Sequence, residues 1–322
     1  MKSRIVVYKP LPEDVLAYLR EHADVIEVDA SNHDAFVAAL RDAHGAIGST
    51  VKITPAMIDG ATHLKALSTI SVGYDAFDVA DLTRRGIVLA HTPDVLTEST
   101  ADTVFALILA TARRVVELAG WVSAGKWSQS VGPEQFGVDV QGKRLGIVGL
   151  GRIGGAVARR AALGFNMSVL YANRSANPEA ERQYGARRVE LDTLLAEADF
   201  VCLQVPLSEE TRHMIGAPQL KAMKKTAILI NAARGPVVDE AALIEALRAG
   251  TILAAGLDVF EQEPIAADSP LLTMRNVVAL PHIGSATHET RHAMARCAAE
   301  NLIGALDGTL ARNIVNREVL RG

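Results

Sequence analysis

The stretch LGIVGLGRIGGAVARRAALGF, Leu145 to Phe165, decides how the rest of the chain is read. The apolar run Arg144–Val148 reads as a short strand, and the Ala-rich segment after it has the spacing of a helix. Between them Gly149, Gly151 and Gly154 stand as G-x-G-x-x-G. Gly149 permits a tight turn, Gly151 lets a pyrophosphate approach the backbone, and Gly154 lets the helix pack close to the strand. The first turn of that helix offers N–H donors and the positive end of a dipole to phosphate groups. A lone glycine motif is a weak signal. A strand before it, a helix after it and a second strand at the right distance make it a dinucleotide loop.

That second strand, Ser168–Tyr171, leads into Ala172, Asn173, Arg174 and Ser175. Asn173 lies nineteen residues after Gly154, where a dinucleotide fold places the acid that reads an adenosine ribose. A carboxylate there would repel a 2′-phosphate. Asn173 does not, Arg174 can pair with the dianion, and Ser175 can donate to it. Hydrogen bonds to charged groups are worth about 1.5–3 kcal/mol each, so two of them, partly screened, favour the phosphorylated cofactor on the order of 100-fold. The expected cofactor is NADP(H), preferred over NAD(H).

Working outward, the strand–helix alternation covers almost the whole of the 322 residues, enough for two cores. Ile5–Tyr8, Val25–Val28, Ala46–Gly48, Ala66–Ile70 and Val88–Ala90 read as a first parallel sheet. Arg144–Val148, Ser168–Tyr171, Phe200–Leu203, Ala227–Asn231, Ala254–Asp258 and Val277–Ala279 read as a second. One long apolar helix, Thr97 to Ala119, reads as a connector. The Gly-rich loop after it, carrying Trp121, Trp127 and Phe136, reads as an arm with a partner surface. The last helix, from His288, and the tail through Val315 have no strand partner left in the second series and are expected back on the first sheet. The expected architecture is α/β with two doubly wound parallel-sheet domains. Residues 1–98 and 288–322 would form one, with residues 99–287 inserted as the dinucleotide-binding domain.

Composition excludes several classes. Hydrophobic residues at 49% and charged residues at 22% fit a folded globular chain. A formal charge of −4 gives no general attraction to nucleic acid or an anionic membrane. No apolar run approaches the roughly 20 residues of a membrane span, the amino terminus does not read as a signal peptide, and a cytoplasmic location is expected. Cys202 and Cys297 match no metal or redox spacing and read as buried reduced thiols.

Three later stretches end strands of the second series: LINAARGPVVDE with Arg234, AAGLDVFEQEP with Asp258 and Glu263, and VVALPHIGSATHETR with His282. In open parallel sheets ligands lie off the carboxyl ends of strands, so all three point toward the cofactor side. Each alone has a plain structural explanation. Together they fit reduction of a 2-keto acid. Histidine titrates near neutrality and can protonate the developing alkoxide. A carboxylate partner favours the protonated ring. An arginine fork binds a substrate carboxylate bidentately.

These motifs, GIVGLGRIG, INAARGPVVDE, AAGLDVFEQEP and PHIGSATHETR, resemble those of the D-isomer-specific 2-hydroxyacid dehydrogenases, and the similarity runs essentially the full length. VVYKPLPED, STISVGYDAFD and HTPDVLTE look most like the bacterial 2-ketogluconate reductase branch, whose members also act as glyoxylate/hydroxypyruvate reductases. The resemblance implies a flavodoxin-like substrate domain, an inserted Rossmann domain and a homodimer joined through residues 120–142. It implies Arg234, Glu263 and His282 as the catalytic set. The substrate would meet the backbone of Val72 and Gly73, with Arg234, His282, Ser285 and Arg291. The cofactor would meet Gly149, Gly151, Arg152, Ile153, Gly154, Asn173, Arg174, Ser175, Val205, Pro206, Thr211, Ala232, Ala233, Asp258, His282 and Gly284, and no metal is called for. Many relatives keep an Asp near Ala172–Asn173, and this chain departs from them. Two other readings stay open: an NAD-dependent dehydrogenase of biosynthesis, and a non-catalytic cofactor-sensing interaction protein.

Overall fold

The computed structural model of the chain describes residues 2–321. It divides into two compact units, Met1–Leu96 with Ala286–Gly322, and Thr97–Ser285.

The first unit begins with β1 (Ser3–Val7), α1 (Glu13–His22), β2 (Ala23–Glu27), α2 (His33–Arg41), β3 (Gly45–Gly48), β4 (Ala66–Thr69), α3 (Val79–Arg84) and β5 (Val88–Ala90). The sheet order is β2-β1-β3-β4-β5 with every pairing parallel. β3, β4 and β5 are buried along their whole length, as strands covered on both faces must be. Short loops tie the helices down: Asn32 and Asp78 cap α2 and α3 by accepting the N–H of Ala35 and Asp81.

The second unit contains α4 (Thr97–Ala112), α5 (Val115–Ser123), β6 (Arg144–Val148), α6 (Arg152–Phe165), β7 (Ser168–Ala172), α7 (Pro178–Tyr184), β8 (Arg187–Arg188), α8 (Leu191–Glu197), β9 (Phe200–Leu203), α9 (Ala217–Ala222), β10 (Ile228–Asn231), α10 (Glu240–Arg248), β11 (Ala254–Leu257) and β12 (Val277–Ala279). Its seven strands run β12-β11-β10-β9-β6-β7-β8, all parallel. The chain moves outward from β6 to β8, then restarts at β9 on the other side, so the order reverses between β6 and β9. The glycine loop follows β6 at that reversal. One core packs α4 and α6 against Leu145, Ile147, Tyr171, Phe200 and Ile230, while α8, α9 and α10 cover the opposite face.

The last helix, α11 (His288–Leu306), returns to the first unit, where it packs on β3, β4 and β5. Ile314 then bridges Ala90, and Asn316 accepts the Leu89 N–H and donates to the Ile87 carbonyl.

Three details differ from the sequence reading. The expected single helix Thr97 to Ala119 is broken: Arg114 takes φ +54 and separates α4 from α5. Its guanidinium pairs with Glu117 and donates to the carbonyls of Glu134 and Phe136, which fixes the turn. The two-residue β8 had no periodic signal. Cys202 is fully buried, as expected, but Cys297 is only partly buried, bonded to Asn301 and Asn313. No helix among the described residues is long and apolar enough to cross a membrane.

Candidate active site

The carboxyl ends of β6, β7 and β9 build the first half of the site. Gly149 holds φ +98 and donates its N–H to the Ala172 carbonyl at 3.0 Å. A Cβ there would meet the Gln204 backbone at 2.7 Å, and one at Gly154 would meet the Gly149 oxygen at 2.5 Å. A Cβ at Gly151 would meet nothing within 4 Å, so this glycine faces open space. Gly151 precedes α6 without a side-chain cap, and the first helical bond is Gly155 N–H to the Gly151 carbonyl at 2.8 Å. The first-turn donors therefore lie outside the ladder, ready for an anion.

At the end of β7, Asn173 Oδ1 accepts the Leu150 N–H at 3.0 Å, so this side chain braces the glycine loop. Arg174 and Ser175 are exposed. Arg188, from β8, wraps the same strand end, donating to the carbonyls of Asn173 and Arg174 at 2.9 Å each. Val205 and Pro206 follow β9, where Thr211 closes the loop by donating to the Pro206 carbonyl at 2.7 Å and accepting the Ser208 N–H at 2.8 Å.

The second half follows β10, β11 and β12. Buried Asn231 accepts the Ala233 N–H and donates to the Arg234 carbonyl at 3.0 Å, which shapes the Ala232–Ala233–Arg234 turn. Glu263 Oε1 accepts the Phe260 N–H at 3.1 Å, and Glu263 Oε2 meets His282 Nδ1 at 2.7 Å. With a carboxylate on Nδ1, that nitrogen carries the hydrogen. Burial alone would raise the Glu263 carboxyl. The bond and charge of His282, the Phe260 N–H and the Arg234 cation outweigh it and hold Glu263 below the ordinary glutamate range. His282 itself is about half exposed, so its ring stays open to a ligand.

His282 sits at φ +55, a region that costs a non-glycine residue about 1–3 kcal/mol. Asp258, 1% exposed, offsets that cost: its two carboxylate oxygens accept the N–H groups of Ile283 and Gly284 at 2.7 and 2.8 Å. Burial pushes the Asp258 carboxyl up despite those two donors. Ser285 follows directly. In the first unit, the Val72 carbonyl bonds His91 and the Gly73 carbonyl accepts the Ser71 hydroxyl. The N–H groups of Val72 and Gly73 have no partner among the described residues.

A family model, D-isomer specific 2-hydroxyacid dehydrogenase, NAD binding domain, matches residues 105–284, more than half of the chain. The chain is 59% identical over 323 residues to glyoxylate/hydroxypyruvate reductase B of Yersinia pestis (strain Pestoides F), covering 99% of each. This chain belongs to the D-isomer specific 2-hydroxyacid dehydrogenases. Among solved structures, a protein from Thermus thermophilus is 42% identical with a TM-score of 0.88, covering 97% of this chain and 99% of its own. An NADPH-dependent glyoxylate/hydroxypyruvate reductase from Sinorhizobium meliloti, in complex with NADP and malonate, is 34% identical with a TM-score of 0.88, covering 99% and 98%.

The residues of this dehydrogenase fit an NAD(P) group. The open face at Gly151 and the uncapped start of α6 suit a pyrophosphate, and two arginines flank the strand end where a ribose would lie. Three contributors escaped the sequence reading. Arg188 lies fifteen residues from Asn173 with no motif around it. Asn231 looks like an ordinary strand end. The bonds from Asp258 to the His282 loop span 25 and 26 residues.

In this dehydrogenase Gly235, next to Arg234, packs against the Phe260–Glu261 backbone of the segment that leads to Glu263. A Cβ at Gly235 would come within 1.8 Å of the Phe260 carbonyl oxygen. No side-chain rotation relieves a clash between main chains. Gly235→Ala is expected to cost about 3 kcal/mol, the upper part of the overpacking range, and to lower the melting midpoint by roughly 6–12 °C. A thermal unfolding curve within about 2 °C of the parent would show that the two segments separate easily.

Proposed function

We propose that this dehydrogenase reduces small 2-keto acids, glyoxylate and hydroxypyruvate foremost and 2-ketogluconate besides, to D-2-hydroxy acids with NADPH as the preferred reductant. The carrying observation is the 2.7 Å contact between His282 and Glu263 at neighbouring strand ends, with the Arg234 charge acting on the same carboxylate. Identity of 59% with a glyoxylate/hydroxypyruvate reductase supports the substrate class, and the NADPH-dependent Sinorhizobium relative supports the cofactor.

When bound, the reduced nicotinamide supplies a hydride to the keto carbon. Arg234 grips the substrate carboxylate through its fork and polarises the keto oxygen. Ser285 takes part of the same carboxylate, and in the first unit the unpartnered N–H groups of Val72 and Gly73 suit an anionic group. His282 gives its Nε2 proton to the keto oxygen, which becomes the hydroxyl of the product. Glu263 keeps the ring oriented and holds the hydrogen on Nδ1, which leaves Nε2 facing the substrate. Gly149, Gly151, Arg152, Ile153 and Gly154 receive the pyrophosphate. Arg174, Ser175 and Arg188 receive the 2′-phosphate.

The test is a panel of glyoxylate, hydroxypyruvate and 2-ketogluconate, each with NADPH and with NADH, followed at the reduced-nicotinamide absorbance. Turnover at ordinary enzyme rates supports the reading, whereas cofactor binding without turnover on any of the three points to the sensor instead.

The active form is proposed to be a homodimer. α5 buries none of its residues, and Val115, Val116, Val122, Trp127, Val131 and Phe136 are each about half exposed or more along one arm. Monomers rarely leave so much contiguous apolar surface in water. Light scattering is expected to give twice the 34.3 kDa chain mass, and Trp127→Glu with Phe136→Glu is expected to return it to one. A parent that scatters as a single chain removes the proposal.

A further inference from the structure

The sheet of the first unit has the order β2-β1-β3-β4-β5, so its connections reverse between β1 and β3. Ligand crevices in open parallel sheets open beyond the carboxyl ends of the two strands at such a reversal. Lys9 follows β1 there, and Ser49 and Thr50 follow β3. Lys9 Nζ donates to Ser49 Oγ at 2.8 Å across the reversal. Ser49 is 6% exposed, a buried hydroxyl that seats the ammonium. Thr50 holds φ +67, which a β-branched residue seldom adopts, and its hydroxyl donates to the Ser49 carbonyl. The loop is thus held in a shape that the local sequence does not favour.

Arg291, from the first turn of α11, places a second positive charge on Lys9. Burial, then that charge, lowers the Lys9 ammonium from its ordinary value. No carboxylate pairs with Lys9 or Arg291 among the described residues. Two neighbouring cations, one partly withdrawn from water, form an unbalanced site that an anion from solution would complete. The next strand over, β4, leads to Val72 and Gly73 and their unpartnered N–H groups. Adjacent strands lie about 4.8 Å apart, so the ends of β1 and β4 are separated by about 10 Å. A five-carbon keto acid met by the length of a lysine side chain can span that gap, and two-carbon glyoxylate cannot.

We propose that Lys9, seated on Ser49 and backed by Arg291, is a specificity residue that takes a second anionic group, carboxylate or phosphate ester, at the far end of a 2-keto acid. The proposal rests on the 2-keto acid reading above.

A matched pair tests it: 2-oxoglutarate against 2-oxopentanoate, equal in carbon number and differing in the distal carboxylate. In the parent, kcat/KM is expected to favour 2-oxoglutarate at least tenfold. Lys9→Met should bring that ratio to within twofold of unity, while Lys9→Arg should keep it. A parent that does not distinguish the pair, or a ratio that survives in Lys9→Met, overturns the role of Lys9. Failure of the parent on the panel of glyoxylate, hydroxypyruvate and 2-ketogluconate is a separate result and sinks the function reading instead. Should Lys9→Met not fold, or the parent reduce neither five-carbon acid, inhibition of parent glyoxylate turnover by glutarate and by pentanoate decides. The dianion is expected to bind at least tenfold tighter, and equal inhibition overturns the proposal. 3-Phosphohydroxypyruvate in place of 2-oxoglutarate tells a phosphate ester from a carboxylate.

Discussion

His282→Gln is expected to lower kcat for glyoxylate reduction by about 10²–10⁴, the range for loss of a positioned proton donor. Glutamine keeps comparable bulk and can still donate to Glu263 from its amide, but it has no proton to release near neutral pH. The loss should therefore fall on kcat. Cofactor affinity, read by fluorescence titration, should hold because the glycine loop follows β6, four positions across the sheet from β12. The geometry makes the experiment clean. Asp258 fixes the segment after residue 282 through the backbone of Ile283 and Gly284, so the loop stays in place when the ring is exchanged. A kcat within about threefold of the parent would remove His282 from the proton path, because a group worth at least 10² cannot vanish so quietly.

The pieces of this site differ in how openly the sequence displays them, and the difference has a physical origin. The glycine loop was legible because steric demand at Gly149 and Gly154 excludes every side chain, so the requirement is written in residue type. Both parallel sheets were legible because strands buried on both faces leave uninterrupted apolar runs. Arg234, Glu263 and His282 could be placed at strand ends by the same counting, and their spacing in the chain says nothing against convergence. What held them in position was hidden. Asn231 and Asp258 act by side-chain bonds to backbone, and such bonds obey no period. The break at Arg114 was hidden too, since an arginine in the left-handed region looks like any helical arginine until its carbonyl partners at Glu134 and Phe136 are known. Lys9 and Ser49 lie forty residues apart, and only the order of β1 and β3 makes them neighbours.

The second large effect concerns cofactor choice at the end of β7. The parent is expected to use NADPH more efficiently than NADH by on the order of 100-fold, and Asn173→Asp with Arg174→Ala to erase or reverse that preference. A 100-fold ratio corresponds to about 2.7 kcal/mol, which two charge-assisted hydrogen bonds can supply even after discounting for solvent. Exposed arginines are weak singly, so the expected preference calls on Arg174 and Arg188 together. Arg188 is already anchored to the carbonyls of Asn173 and Arg174, so its charge would need little further ordering to meet a 2′-phosphate at this strand end. Arg188→Ala alone should therefore reduce the preference by about tenfold. The aspartate substitution is expected to be tolerated by the loop. Asn173 Oδ1 serves as an acceptor for the Leu150 N–H, and an aspartate oxygen can take the same bond while adding the charge that repels phosphate. Added salt should raise KM for NADPH more than for NADH, since screening acts on the phosphate contacts that only the former makes. An efficiency ratio unchanged by the double substitution would mean that the phosphate is read somewhere other than the end of β7, and the two arginines would then be ordinary surface cations.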